Sequence, residues 1–169
     1  MDSRTDRCLV LDSSVIIALA EANATDVLAA LDAEIIVPRA VYEEVVVRGR
    51  GRPGSRELED LAGRGKVRVL EPRDRALVEA LHDPLGMGES EAIALAVERG
   101  CTVVLDDRIA RLKAKSMGLR VTGTIGLLRL AYDKGLLGKD RLVQALRDLR
   151  DRGFRIPDEI IDEVLKKLK

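Results

Sequence analysis

The sequence predicts an α/β fold: three layers, with helices on both faces of a central, mostly parallel sheet. Two observations carry this. Short apolar runs recur at Cys8–Leu11, 34–37, Val67–Leu70, 102–105 and 120–122, and stretches with helical spacing separate them. Strands that alternate with helices call for right-handed crossovers and parallel pairing. A third observation bounds the sheet. From Lys139 onward only helical spacing continues, at Leu142, Ala145, Leu146 and Leu149 and again at Ile160, Ile161, Val164, Leu165 and Leu168. The expected organisation is an α/β body over residues 1–134 and a C-terminal helical extension over 135–169, packed on it.

Each element has a local reason. The first strand ends at Asp12-Ser13-Ser14 and enters a helix over 15–21, with a second helix over 25–31. Pro38 closes the next strand and is suited to open a helix to about residue 47. Arg48-Gly49-Arg50-Gly51-Arg52-Pro53-Gly54 is a loop by its Gly and Pro content, and Ser55 reads as a cap for a helix to residue 62. Helices are expected over 73–81 and 89–99, the second apolar almost all round after Gly86-Met87-Gly88. Another runs over 109–117 and is closed by Gly118, and the last of the body covers 124–134.

Composition excludes several chemistries. Lys and Arg number 29 and so do Asp and Glu, so no global field draws the chain to nucleic acid. One His and two Cys cannot build a zinc cage. His82 precedes Asp83-Pro84 in a loop, a poor setting for a Ser-His-Asp relay. No run of 18 apolar residues exists and the start lacks a leader's apolar core, so no membrane span and a cytoplasmic location are expected. Charged residues make up 34%, and Asn23 and Gln144 are the sole side-chain amides, which suggests a heat-adapted source.

What remains is carboxylate. Strand ends carry Asp12 and Asp106-Asp107, and two helices bring Glu43-Glu44 and Glu89 with Glu91. In open α/β sheets, sites form outside the carboxyl ends of strands. Acids gathered there repel one another unless cations neutralise them, and carboxylates favour hard cations such as Mg²⁺ or Mn²⁺. Helix capping is the other reading of Asp12, Asp106, Asp107, Glu89 and Glu91 taken singly. Glu44 shares a face with Ala40, Val41 and Val47 and leans toward the body, whereas Glu43 reads as solvated. Periodicity does not separate Glu89 from Glu91. A haloacid-dehalogenase-like phosphatase needs Asp-x-Asp after the first strand, and Ser14 stands at its second position. A phospho-receiver domain places its acidic pair early, whereas Asp106-Asp107 comes late.

The segments LVLDSSVIIAL, VPRAVYEEVV, LGMGESEAIALAVERG and VVLDDRIARLKAKSMGLRVTGTIGLL, over about residues 8–130, resemble the PIN-domain ribonucleases. The nearest likeness is to the small prokaryotic VapC-like, DUF3368-type group. The resemblance implies a three-layer PIN-like nuclease domain and a quartet of acids. It also implies Mg²⁺- or Mn²⁺-dependent cleavage of single-stranded RNA. Carried over by position, the catalytic acids are Asp12, Glu44, Glu91 and Asp106. The metal ligands are drawn from Asp12, Glu44, Glu89, Glu91, Asp106 and Asp107. Glu91 follows the acid-Ala pattern, as Glu91-Ala92, and Glu89 the Gly-Glu pattern. Two departures stand out: Glu replaces the frequent third Asp, and Leu105-Asp106-Asp107 replaces Thr-x-Asp. The fold-preserving alternative is a catalytically silent binding module.

Ser14, Arg48, Arg50, Arg52, Arg108 and Arg111 are the candidate RNA contacts, beside Arg56, Lys113 and Lys115. Their bland reading is a solvated loop and a solvated helix face. The resemblance implies as partners a single-stranded RNA substrate, an antitoxin protein if the chain is a toxin, and a second copy in a homodimer. In the family's strand order Cys8 and Cys101 begin neighbouring strands, where free buried thiols are the default and a disulfide suits a hyperthermophile.

Overall fold

Five parallel strands form one sheet in the order β3-β2-β1-β4-β5 in the computed structural model, which describes residues 7–166. The strands are β1 (Cys8–Leu11), β2 (Glu34–Pro38), β3 (Val67–Leu70), β4 (Thr102–Val104) and β5 (Val121–Thr122). The expected three-layer α/β/α class is what the structure holds. Alternation along β1 explains both layers, because successive side chains point to opposite faces. Leu9 and Leu11 join a core shared with Ile35, Val37 and Val104, whereas Val10 joins a second core with Ile36, Val103 and Leu105.

The first core is covered by α1 (Ser13–Glu21), α2 (Asp26–Ala30), α4 (Ser55–Gly63) and α8 (Thr124–Asp133). It also receives Val41 from α3 (Arg39–Tyr42) and Val45 and Val46 from the π-helical turns Glu43–Arg48 that follow α3. The second core lies under α5 (Arg75–Leu81), α6 (Met87–Arg99) and α7 (Arg108–Ser116). The C-terminal helices α9 (Lys139–Asp151) and α10 (Asp158–Lys166) add Leu142, Leu146, Leu149 and Ile161 to the first core. Leu168, assigned to the last helix, and residues 1–6, where no leader was expected, lie outside the described residues. No described helix is long and apolar enough to cross a membrane.

Several boundaries differ from expectation. α1 starts at Ser13, because the Asp12 carbonyl accepts from Val15 and Ile16 at 3.2 and 3.4 Å. The helix expected to run from Pro38 to about residue 47 divides into α3 and the π-helical turns. α6 starts at Met87, which places Gly88 inside the helix. Its cap is Gly86, whose N–H donates to Glu89 Oε1 at 3.2 Å.

The cysteines are joined, where free thiols were the default expectation. Leu9 pairs with Thr102, so continuing that register brings Cys8 beside Cys101. Their Cα atoms are 5.1 Å apart and the sulfurs are bonded.

Candidate active site

Strand order places the site. From β1 the chain first builds outward through β2 and β3, then returns to add β4 and β5 on the other side. At such a switch point the loops after adjacent strands diverge and leave a crevice. Asp12 leaves β1 and Asp106-Asp107 follow β4, so both line that crevice. The Asp12 N–H donates to the Val104 carbonyl at 3.3 Å, which ties the two strand ends together.

One open cavity of about 490 Å³ is lined there by Asp12, Ser13, Ser14, Glu44, Gly86, Gly88, Glu89, Asp106 and Asp107. Five carboxylates expected in the site therefore share one opening. Asp12 is buried, with 5% of its surface exposed. It occupies the N-cap position of α1 without making a side-chain cap bond. Two hydroxyls serve it instead: Ser13 Oγ donates to Oδ1 and Ser14 Oγ to Oδ2, each at 3.3 Å. Ser13 Oγ also lies 2.9 Å from Glu44 Oε2, so one hydroxyl links the acids of two separate elements.

The remaining three acids do have structural duties. Asp107 caps α7 by accepting the Ala110 N–H at 2.9 Å. Glu89 accepts the Gly86 N–H. Asp106 accepts the Thr124 N–H at 2.9 Å and the Thr124 hydroxyl at 2.6 Å, which holds the start of α8 against the end of β4. Capping thus accounts for part of what Glu89, Asp106 and Asp107 do, and for none of what Asp12 does.

Electrostatics mark the cluster as short of positive charge. Burial pushes the Asp12 carboxyl up to about 6, and the Glu89 and Glu44 charges add to this, against the opposing Ser13 N–H and Ser14 hydroxyl. The Glu89 carboxyl is also raised, first by burial and then by Asp107 and Glu44. A cation in the cavity would relieve all of these repulsions at once.

Glu91 is placed elsewhere, although the acid-Ala pattern had put it in the quartet. Two residues along a helix turn the side chain by about 200°, so Glu89 opens to the cavity while Glu91 turns inward. Its Oε1 accepts the Ala40 N–H at 3.1 Å and its Oε2 the Arg75 Nη1 at 3.0 Å.

The arginines expected to contact RNA are not among the residues that line the cavity. Arg48 is exposed at the end of the π-helical turns, Arg50 and Arg52 on the Gly-rich loop that follows, and Arg108 at the start of α7. Arg111 is half-buried and donates to the Leu105 carbonyl at 2.8 Å. A Cβ at Gly123 would lie 2.7 Å from Asp106 Oδ1 and 2.9 Å from Arg111 Nη1, so this cation stands close to the Asp106 carboxylate.

Two residues with clear roles escaped the sequence reading. Ser13 makes the Asp12–Glu44 link, where Ser14 alone had been singled out. Thr124 fastens Asp106, and only its place after a short strand could have signalled it.

The donors are of the type a divalent cation takes: carboxylate and hydroxyl oxygens. Space is present as well, because a Cβ at Gly88 would lie 3.2 Å from Asp12 Oδ1 and 3.6 Å from Glu44 Oε2. Among the described residues no three His, Cys, Asp or Glu side chains already form a ligand group. Asp12, Glu44 and Glu89 are the residues that could hold the cation, with Asp106 and Asp107 lining the same opening.

The model of a PIN-domain family, DUF3368, matches residues 8–169. Among solved structures, a PilT N-terminus domain protein (SSO1118) from the hyperthermophilic archaeon Sulfolobus solfataricus P2 is similar. Its TM-score is 0.51 at 18% identity, over 73% of this chain and 92% of that one. PAE2754 from Pyrobaculum aerophilum is similar at TM-score 0.52 and 21% identity, over 73% of this chain and 96% of that one. Both likenesses are of fold. No curated protein matches the chain. With a family match from the first strand to the C-terminus, and a parallel sheet of the same fold as these structures, the chain belongs to the PIN-domain family, a superfamily of nuclease type.

Proposed function

We propose that this chain is a metal-dependent endoribonuclease that hydrolyses phosphodiester bonds of single-stranded RNA. The observation that carries the reading is the Asp12 carboxylate, buried without a cationic partner among the described residues and faced by Glu44 and Glu89 across one open cavity. Mg²⁺ or Mn²⁺, bound there, supplies the activation of water and the stabilisation of the departing oxygen. The protein's part is to present oxygen donors at set positions. Ser13 holds Asp12 and Glu44 in register through one hydroxyl. Thr124 keeps Asp106 at the end of β4 with both carboxylate oxygens engaged.

The substrate follows from the surroundings. Arg48, Arg50 and Arg52 make no ion pair among the described residues, whereas Arg64, Arg68, Arg99 and Arg141 each pair with a carboxylate. Unpaired, exposed guanidinium groups on the chain that follows Glu44 suit the phosphates of a strand whose scissile bond enters the crevice. With aromatic residues at 2% of the sequence, affinity would come from phosphate contacts and fall with salt, not from base stacking. The finer reading, the toxin of a toxin–antitoxin pair, predicts growth arrest on induced expression and relief of that arrest by Asp12→Asn.

A second reading, a PIN-like module that binds without cutting, is favoured by one observation. Glu89, Asp106 and Asp107 each already accept a backbone N–H. Incubating a labelled single-stranded RNA panel with the protein in Mn²⁺, in Mg²⁺ and in EDTA separates the two. Cutting that needs metal and is lost in Asp12→Asn upholds the nuclease. Metal-independent RNA binding with no cutting, and no heat of Mn²⁺ binding, supports the module instead.

A further inference from the structure

Of the six carboxylates expected as metal ligands, Glu91 is the one that does not line the cavity, and burying it requires compensation. Its surface is 5% exposed. A buried carboxylate is tolerated when it is both paired and hydrogen-bonded, and Glu91 is both. The Arg75 guanidinium meets one oxygen at 3.0 Å and the Ala40 N–H meets the other at 3.1 Å.

The Ala40 contact reaches the site. α3 begins after Pro38, whose side chain makes no cap bond. The N–H groups of a first helical turn have no partner within their own helix, and Glu91 serves one of them from α6. Four residues beyond Ala40, about one turn along the chain, stands Glu44, gripped at its carboxylate by Ser13. The next residue, Val41, packs on α6 as well: a Cβ at Gly88 would lie 3.1 Å from Val41 Cγ2. α3 is thus held on α6 at two successive residues, and α6 itself carries Glu89 into the cavity.

We propose that Glu91 is a positioning residue: through the Ala40 N–H it sets the placement of the helix that delivers Glu44, and it is not itself a metal ligand. This rests on the nuclease reading above for its functional consequence, though the Glu91–Ala40 link stands apart from it. A group that orients a ligand from behind typically costs about 10–100-fold in metal affinity when removed. Its isosteric amide, which still accepts an N–H, should cost far less.

The test uses the full chain with Glu91→Gln, Glu91→Ala and Asp12→Asn. Two quantities are read: Mn²⁺ affinity by electron paramagnetic resonance, and hydrogen exchange of the Ala40 amide by NMR without metal. Glu91→Ala is expected to weaken Mn²⁺ binding by about tenfold and to speed Ala40 exchange by about tenfold or more. Glu91→Gln is expected to keep Ala40 protected and Mn²⁺ affinity within about threefold of the parent. If Glu91→Ala does not fold, that Glu91→Gln result alone upholds the proposal. Loss of Mn²⁺ in Glu91→Gln as complete as in Asp12→Asn would make Glu91 a direct ligand and overturn it. So would unchanged Ala40 exchange in Glu91→Ala. If the parent protein binds no Mn²⁺, the nuclease reading falls, and Ala40 exchange still decides the link.

Discussion

Asp12 is held in a state that costs stability, and that cost is measurable. Its carboxyl is raised from 3.8 to about 6, first by burial and then by Glu89 and Glu44. The unfolded chain gives up this proton before the folded one does. Stability is therefore greatest below the unfolded value and falls as pH rises through about 6. At roughly 1.4 kcal/mol per tenfold change in proton affinity, the loss is about 3 kcal/mol. In EDTA, Asp12→Asn should stabilise the fold at pH 7.5 by about 2–3 kcal/mol and by little at pH 3.5, as read by denaturant unfolding. Saturating Mn²⁺ should narrow the gap at pH 7.5, because an ion on Asp12 stabilises only the parent. Thr124 offers the converse case. It is fully buried and gives both its N–H and its hydroxyl to Asp106. Thr124→Val should cost about 1–3 kcal/mol in the same assay, since a partly buried carboxylate loses a donor. Sequence alone suggested both acids, because they end apolar runs. It could not show that Asp12 lacks a capping role while Asp106 is tied to α8, since that depends on where the next elements pack.

Among the elements, α6 contributes most to the crevice. Eight of its residues from Gly88 to Ala96 are buried, so its apolar pattern is nearly continuous around the helix. A helix apolar all round has no readable face, and so the choice between Glu89 and Glu91 lay beyond periodicity. The neighbours decide it, with the cavity on one side and α3 with Arg75 on the other. Gly88 shows how close the packing is. In an ordinary helix interior, Gly→Ala gains about 0.5–1 kcal/mol. Here the added Cβ would meet Val41 Cγ2 at 3.1 Å and Asp12 Oδ1 at 3.2 Å. Gly88→Ala should therefore change thermal stability little while weakening Mn²⁺ binding several-fold, compared by calorimetry against Asp12→Asn. The π-helical turns Glu43–Arg48 had no visible sequence signal. They bury Val45 and Val46 while leaving Glu44 exposed to the cavity.

At the scale of the molecule, two layers of core and one disulfide hold the strand ends in place. Cys8 and Cys101 close a loop spanning 93 residues across β1 and β4, the strands that carry Asp12 and Asp106 at their far ends. Restricting so long a loop in the unfolded chain is worth about 4–5 kcal/mol in the chain-entropy picture. The double variant Cys8→Ser with Cys101→Ser should lose about that much in denaturant unfolding. The parent should lose a similar amount under strong reductant. α9 belongs to the same structural unit, because Leu142, Leu146 and Leu149 enter the first core beside Leu9 and Leu11.

The sequence by itself determined the parallel α/β class, since apolar runs of strand length alternate with helical spacing, and helices on both sides of a parallel sheet bury both of its faces. It also determined which segments end in acids. Only the tertiary structure decided which of those acids meet. Periodicity reports which face of an element is buried, not against what. That Glu89 faces Asp12, that Ser13 bridges Asp12 to Glu44, that Glu91 turns to Ala40 and that Cys8 finds Cys101 are all contacts between elements far apart in sequence. Strand register and helix crossing set these contacts, and neither is written in the local pattern of residues.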